Sequence, residues 1–90
     1  MVNLEKNPKK MTKTVMIATI NDVKEFSSAA NNAKCTVSLI SGRYTVDGKS
    51  IMGIFSLDLS KPIELEIERP ESGADDREEF LKKINKFIVE

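Results

Sequence analysis

The residues best placed to do chemistry in this 90-residue chain lie in and just before "DGKSIMGIFSLDLS", residues 47–60. Ser50 stands between a basic turn and an apolar run of Ile51, Met52, Ile54 and Phe55. A serine in that position is a helix N-cap, its oxygen accepting a hydrogen bond from a backbone N–H of the first turn. A helix start of this kind, with orphan N–H groups and a favourable dipole, also suits a negative charge. On a helix beginning there, Ile54 and Leu57 turn to the core, while Ile51, Met52 and Phe55 lie toward the surface. With Lys49 beside them they form an apolar patch of the kind partner proteins use, and methionine suits adaptable contacts. Arg43 and Lys49 flank the tyrosine segment and could receive an anion. No glycine-rich phosphate loop accompanies them, so without a phosphate on Ser50 they read as solvated charges.

The rest of the inventory excludes more than it offers. The chain has no histidine, so a histidine nucleophile, general base, phosphohistidine or histidine-ligated metal is impossible. The single cysteine, Cys35, can form neither an internal disulfide nor a Cys–His dyad. No pair of carboxylates, lysines or tyrosine is placed to catalyse. The expectation is a non-enzyme without cofactor or metal. Fourteen basic residues balance fourteen acidic ones, so no net field favours nucleic acid or an anionic membrane. No apolar run approaches the roughly 20 residues of a membrane span, and "MVNLEKNPKK" lacks the apolar centre of a signal peptide. One unpaired cysteine fits a reducing cytoplasm.

The elements that would position Ser50 can be read in order. Residues 1–11, polar and interrupted by Pro8, read as a flexible arm, leaving 12–90 as one domain with a modest core. "TKTVMIATI" (12–20) is β-branched and suits a covered strand. In "NDVKEFSSAANNA", Asp22 and Glu25 resemble a capping box. Val23, Phe26, Ser27 and Ala30 share a face, and Asn31-Asn32 ends the helix. "KCTVSLIS" (34–41) turns Cys35, Val37 and Leu39 inward. Gly42 leads into "RYTV", and Asp47-Gly48 is a turn signal. "PIELEIE" (62–68) alternates cleanly, with Ile63, Leu65 and Ile67 inward and Glu64, Glu66 and Glu68 toward water. "ADDREEFLKKINKFIVE" reads as one amphipathic helix burying Phe80, Leu81, Ile84, Phe87 and Ile88. The order β-α-β-β-α-β-α predicts an α+β fold, a four-stranded sheet with helices on one face.

That order, together with "GKSIMGIFSLDL", resembles the HPr family, the small phosphocarriers of the bacterial phosphoenolpyruvate-dependent sugar phosphotransferase system. The likeness is nearest to Gram-positive members, in which a similar Lys-Ser-Ile-Met-Gly run opens the short middle helix, here Lys49 to Gly53, followed by Ser56-Leu57. "SGADDREEFLKKINKFI" looks like the family's last helix, and the likeness runs from about Thr14 to Ile88. It implies an HPr-like open-faced β-sandwich. The family carries its phosphoryl group on a histidine between the first strand and first helix, with an arginine and a proline close behind. Counted back from Ser50 without gaps, those positions hold Thr19, Asn21 and Asp22. Aligned on the first strand instead, about five residues of the loop are missing. Either way the carrier site is gone, since a phosphothreonine is a stable ester and not a labile phosphoramidate. Asp58 and Pro62 stand where the family commonly has glycine, so the turn after the short helix is expected to be slightly strained.

Two functions follow from the resemblance. The first is a non-catalytic regulatory or adaptor protein, similar to the catabolite-repression HPr of bacilli, which lacks the histidine and keeps the serine. Ser50 would be phosphorylated by HPr kinase, and the partners would be a catabolite-control transcription factor or other phosphotransferase-system proteins. The second is a binding module or oligomer subunit independent of phosphorylation, using the Ile51–Phe55 patch or the open sheet.

Overall fold

The structure is a computed structural model, and it describes residues 9–71 and 74–89. Its elements are β1 (Lys10–Val15), α1 (Ile20–Asn31), β2 (Thr36–Ser41), β3 (Tyr44–Asp47), α2 (Ile51–Phe55), β4 (Ile63–Glu68) and α3 (Arg77–Lys83), followed by a 3-10 turn at Asn85–Phe87. The strands form one antiparallel sheet in the order β1-β4-β2-β3. The chain therefore has the expected α+β order.

Alternation decides which face of the sheet is covered. Met11, Ile67 and Val37 stand in one row and Leu65, Leu39 and Val46 in the next. All face the helices, and Val37, Leu39, Leu65 and Ile67 are buried. The intervening residues Glu64, Glu66 and Glu68 look out on the open face, where Lys9 reaches Glu68 (3.3 Å) and Lys10 reaches Glu66 (3.8 Å). Exposed pairs of this kind contribute little.

Three aromatic rings join the helices to one another. The Phe26 ring of α1 meets Phe80 edge-on at 5.8 Å and Phe87 at 6.2 Å, an arrangement the ring quadrupoles favour. Val23, Ser27 and Ala30 are buried on the same face of α1.

The larger differences from the sequence reading lie at the two ends of β1 and the end of the last helix; in addition β2 starts at Thr36 and α3 at Arg77, each later than expected. The strand β1 begins at Lys10, inside the stretch assigned to the arm, because Lys10 and Met11 pair with Glu68 and Ile67. Residues 1–8 of that arm lie outside the described residues. At its other end β1 stops at Val15, and Thr19 caps α1, so the β-branched run is part strand, part connector and part helix. Finally, the last helix ends at Lys83. Ile88 instead bridges to Val15, the Phe87 carbonyl accepts from Met16 N–H, and Val89 N–H donates to the Thr14 carbonyl. Tertiary pairing outcompetes the helical period there.

Candidate docking surface and the two helix starts

Local geometry at Ser50 follows from the turn before it. Gly48 is required because a Cβ there would stand 2.5 Å from Val37 Cγ1. That close approach lets Gly48 N–H donate to the Val37 carbonyl at 2.8 Å. Asp47 then organises the turn. Its carboxylate accepts Lys49 N–H (2.9 Å) and its carbonyl accepts Ser50 N–H (3.0 Å). Ser50 is extended (φ −103°, ψ 112°), and its Oγ accepts Gly53 N–H at 3.0 Å, so it is the N-cap of α2. The hydroxyl is partly buried.

Lys49 is more fixed than a solvated charge. Its Nζ donates to the Ala33 carbonyl (3.1 Å), just past the end of α1. Its own carbonyl accepts from Ser27 Oγ (3.2 Å) and Asn31 Nδ2 (2.8 Å). These bonds tie the entry of α2 to the second half of α1. Lys49 also rims a hollow of about 410 Å³ with Thr36, Ser38, Thr45 and Asp47.

The helix α2 has two faces. Ile54 is buried and Leu57, just beyond the C-cap, is 8% exposed. Met52 is 79% exposed, Phe55 41% and Ile51 40%. After α2, Asp58 has no left-handed backbone. Gly42 (φ 61°) is the only described residue with positive φ. The Asp58 carboxylate instead accepts Ser60 Oγ (2.6 Å) and N–H (3.1 Å), which holds its pKa below the usual range. The strain expected there is absent.

The start of α1 is built differently. Thr19 Oγ1 accepts Asp22 N–H (3.0 Å), while the Asp22 carboxylate accepts the N–H groups of Ala18 and Thr19 (3.2 Å each). The capping box is therefore Thr19–Asp22 and not Asp22–Glu25. Only Met16, Ile17 and Ala18 separate β1 from Thr19. Ile20, the first helical residue, is 62% exposed, an apolar surface residue the strand reading hid. Its signal was the Thr-x-x-Asp spacing, a recognised helix start.

Two other polar groups complete the picture. Cys35 is fully buried, and burial together with the neighbouring Asp76 carboxylate pushes its thiol up to about 11. A thiol in that state is a packing residue and not a nucleophile. Asp76 accepts the N–H groups of Lys34 (2.7 Å) and Cys35 (3.1 Å), joining α3 to the start of β2. Beside it Arg77, only 3% exposed, makes a two-pronged pair with Asp75 (both 2.8 Å) and donates to the Lys9 carbonyl. Hydrogen bonding from Arg77 holds the Asp75 carboxyl down at about 2. Among the described residues no cluster of acidic or cysteine side chains is arranged to hold a metal. No described helix is long and apolar enough to cross a membrane.

The sheet order β1-β4-β2-β3 with the short capped helix α2 packed on α1 and β3 can be set beside known families. The family model described as "PTS HPr component phosphorylation site" matches residues 21–90. The chain belongs to the HPr family, the phosphocarriers of the phosphotransferase system. Among solved structures it is similar to HPr-C-His from Thermoanaerobacter tengcongensis, with 25% identity and a TM-score of 0.68 over 84% of this chain and 88% of that one. The fold is also shared with the phosphocarrier protein HPr from Bacillus anthracis, at 24% identity and a TM-score of 0.65 over 88% and 96%. A search of curated proteins found no match.

Proposed function

We propose that this HPr-family chain is a protein-docking member that transfers no phosphoryl group, and that phosphorylation of Ser50 regulates its docking. The surface is Ile51, Met52 and Phe55 on α2, with Lys49 fixing the helix entry. The observation that carries this reading is the exposure of three large apolar side chains on a helix whose opposite side is core, in a chain without histidine. Solvating such a cluster is unfavourable, and a partner that covers it removes the penalty. Its partners would be proteins: HPr kinase, a catabolite-control transcription factor or phosphotransferase-system components. Nucleic acid would not be contacted directly, and the setting would be cytoplasmic.

The start of α2 supports Ser50 as the switch. Its first turn holds no acidic side chain, and a phosphoryl group on Oγ would displace the Gly53 bond and change the helix entry. The test is incubation with HPr kinase and ATP. Label is expected on the wild type and absent from Ser50→Ala, and an unlabelled wild type would remove the switch. A second reading, docking without phosphorylation, is favoured by the engagement of Ser50 Oγ with Gly53 N–H. It predicts partner capture unchanged in Ser50→Ala and lost in Met52→Asp.

A further inference from the structure

The two edges of the sheet are treated differently by the sequence. The β1 edge is guarded. Residues Phe87 to Val89 pair along its second half. Lys13, opposite Leu65, turns a charge toward the helix side. Both are devices that stop a strand from pairing with another molecule. The β3 edge has neither: "YTVD" contains no lysine and no proline, and no described element lies beyond it.

The register fixes which backbone groups are open. Antiparallel neighbours exchange both hydrogen bonds at every second residue. Gly48 is bonded to Val37, so by the same parity Val46 is bonded to Leu39 and Tyr44 to Ser41. Thr45 therefore turns both its N–H and its C=O to the free edge and Asp47 its N–H, while the Asp47 carbonyl is taken by Ser50 N–H.

We infer that β3 is a self-pairing edge, and that a second copy of this chain docks on it antiparallel across a two-fold axis at Thr45. That register is self-complementary at every position. Thr45 meets the partner's Thr45 and exchanges two backbone bonds with it. Tyr44, 72% exposed in the single copy, faces the partner's Val46. Arg43, in the hairpin turn, comes to the level of the partner's Asp47, and the two-fold repeats each pair. Threonine pairs, aromatic–β-branched pairs and opposite charges are the cross-strand combinations that stabilise sheets. Shifting the partner by two residues removes the two-fold pairing of Arg43 with aspartate and sets Thr45 against the partner's Asp47. Charge thus selects the register. The result is one eight-stranded sheet.

Only a short strand is joined, so the dimer is weak, with a dissociation constant on the order of 0.1–1 mM. Sedimentation velocity across that range should show the weight-average coefficient rising with concentration. Amide exchange should slow at Thr45 and Asp47 and stay unchanged at Tyr44. Thr45→Pro removes an N–H that β2 does not use, and Arg43→Asp sets like charges together. Each should weaken association roughly tenfold or more while circular dichroism stays native. A wild type that remains monomeric throughout, or a dimer untouched by Thr45→Pro and Arg43→Asp, would overturn the inference. Neither outcome bears on Ser50, so the docking proposal stands or falls separately.

Discussion

Helices α1 and α2 both begin with a hydroxyl residue, Thr19 in one and Ser50 in the other, yet their surroundings fit them for opposite tasks. At Thr19 the Asp22 carboxylate already occupies the N–H groups of Ala18 and Thr19, so negative charge is built in and another anion would be repelled. The helix behind it is nailed to the core by Phe26. At Ser50 one N–H is engaged by the hydroxyl, no acidic residue stands in the first turn, and the helix buries Ile54 while leaving Met52 in water. The first helix start is closed and structural; the second is a surface.

The largest expected effect separates the two helices by their share of the core. Phe26→Ala removes the ring that packs against Phe80 and Phe87 and should cost about 3–5 kcal/mol, enough to unfold much of a small domain. Met52→Ala should stay within about 0.5 kcal/mol. Urea denaturation measures both, and similar costs for the two would erase the distinction between them.

Next comes the pair that anchors α3. Asp75→Ala leaves a nearly buried Arg77 without its carboxylate, a loss of about 2–3 kcal/mol, taken low because Asp75 is partly solvated. The pH dependence has a definite sign. The folded carboxyl, at about 2, lies below its ordinary 3.8, so its contribution is complete above about pH 5 and drains away as pH falls toward 2. Wild-type stability should decline over that window more steeply than that of Asp75→Ala. Equal slopes would show that the pair does not act as described.

The caps give the smallest effects. Thr19→Ala and Ser50→Ala should each cost about 1 kcal/mol. Asp22→Ala should add a similar loss at α1, where it removes the carboxylate that accepts the Ala18 and Thr19 N–H groups. Partner capture should survive Thr19→Ala and Asp22→Ala and fail in Met52→Asp.

What could be read from the sequence followed local rules. The Ser50 cap, the inward set Ile63, Leu65 and Ile67, and the Val23–Phe26–Ala30 face depend on spacing within one element. What could not be read was set by partners far along the chain. The final helix looked continuous because Phe87 and Ile88 keep its period. Only the free edge of β1 reveals that Ile88 is better used opposite Val15. Likewise Lys49 is tied down by the Ala33 carbonyl, a contact no local pattern announces. Thr19 was the avoidable miss, since its spacing to Asp22 lay in plain view behind a β-branched run.

The most direct test of the central claim is phosphoryl acceptance. The protein is incubated with enzyme I and phosphoenolpyruvate beside a histidine-bearing HPr, and acid-labile phosphate is measured by intact mass before and after acid treatment. No labile phosphoryl group should appear on this chain, because it has no imidazole and its cysteine is buried with a raised pKa. Transfer of an acid-labile phosphoryl group to the wild type would contradict the account.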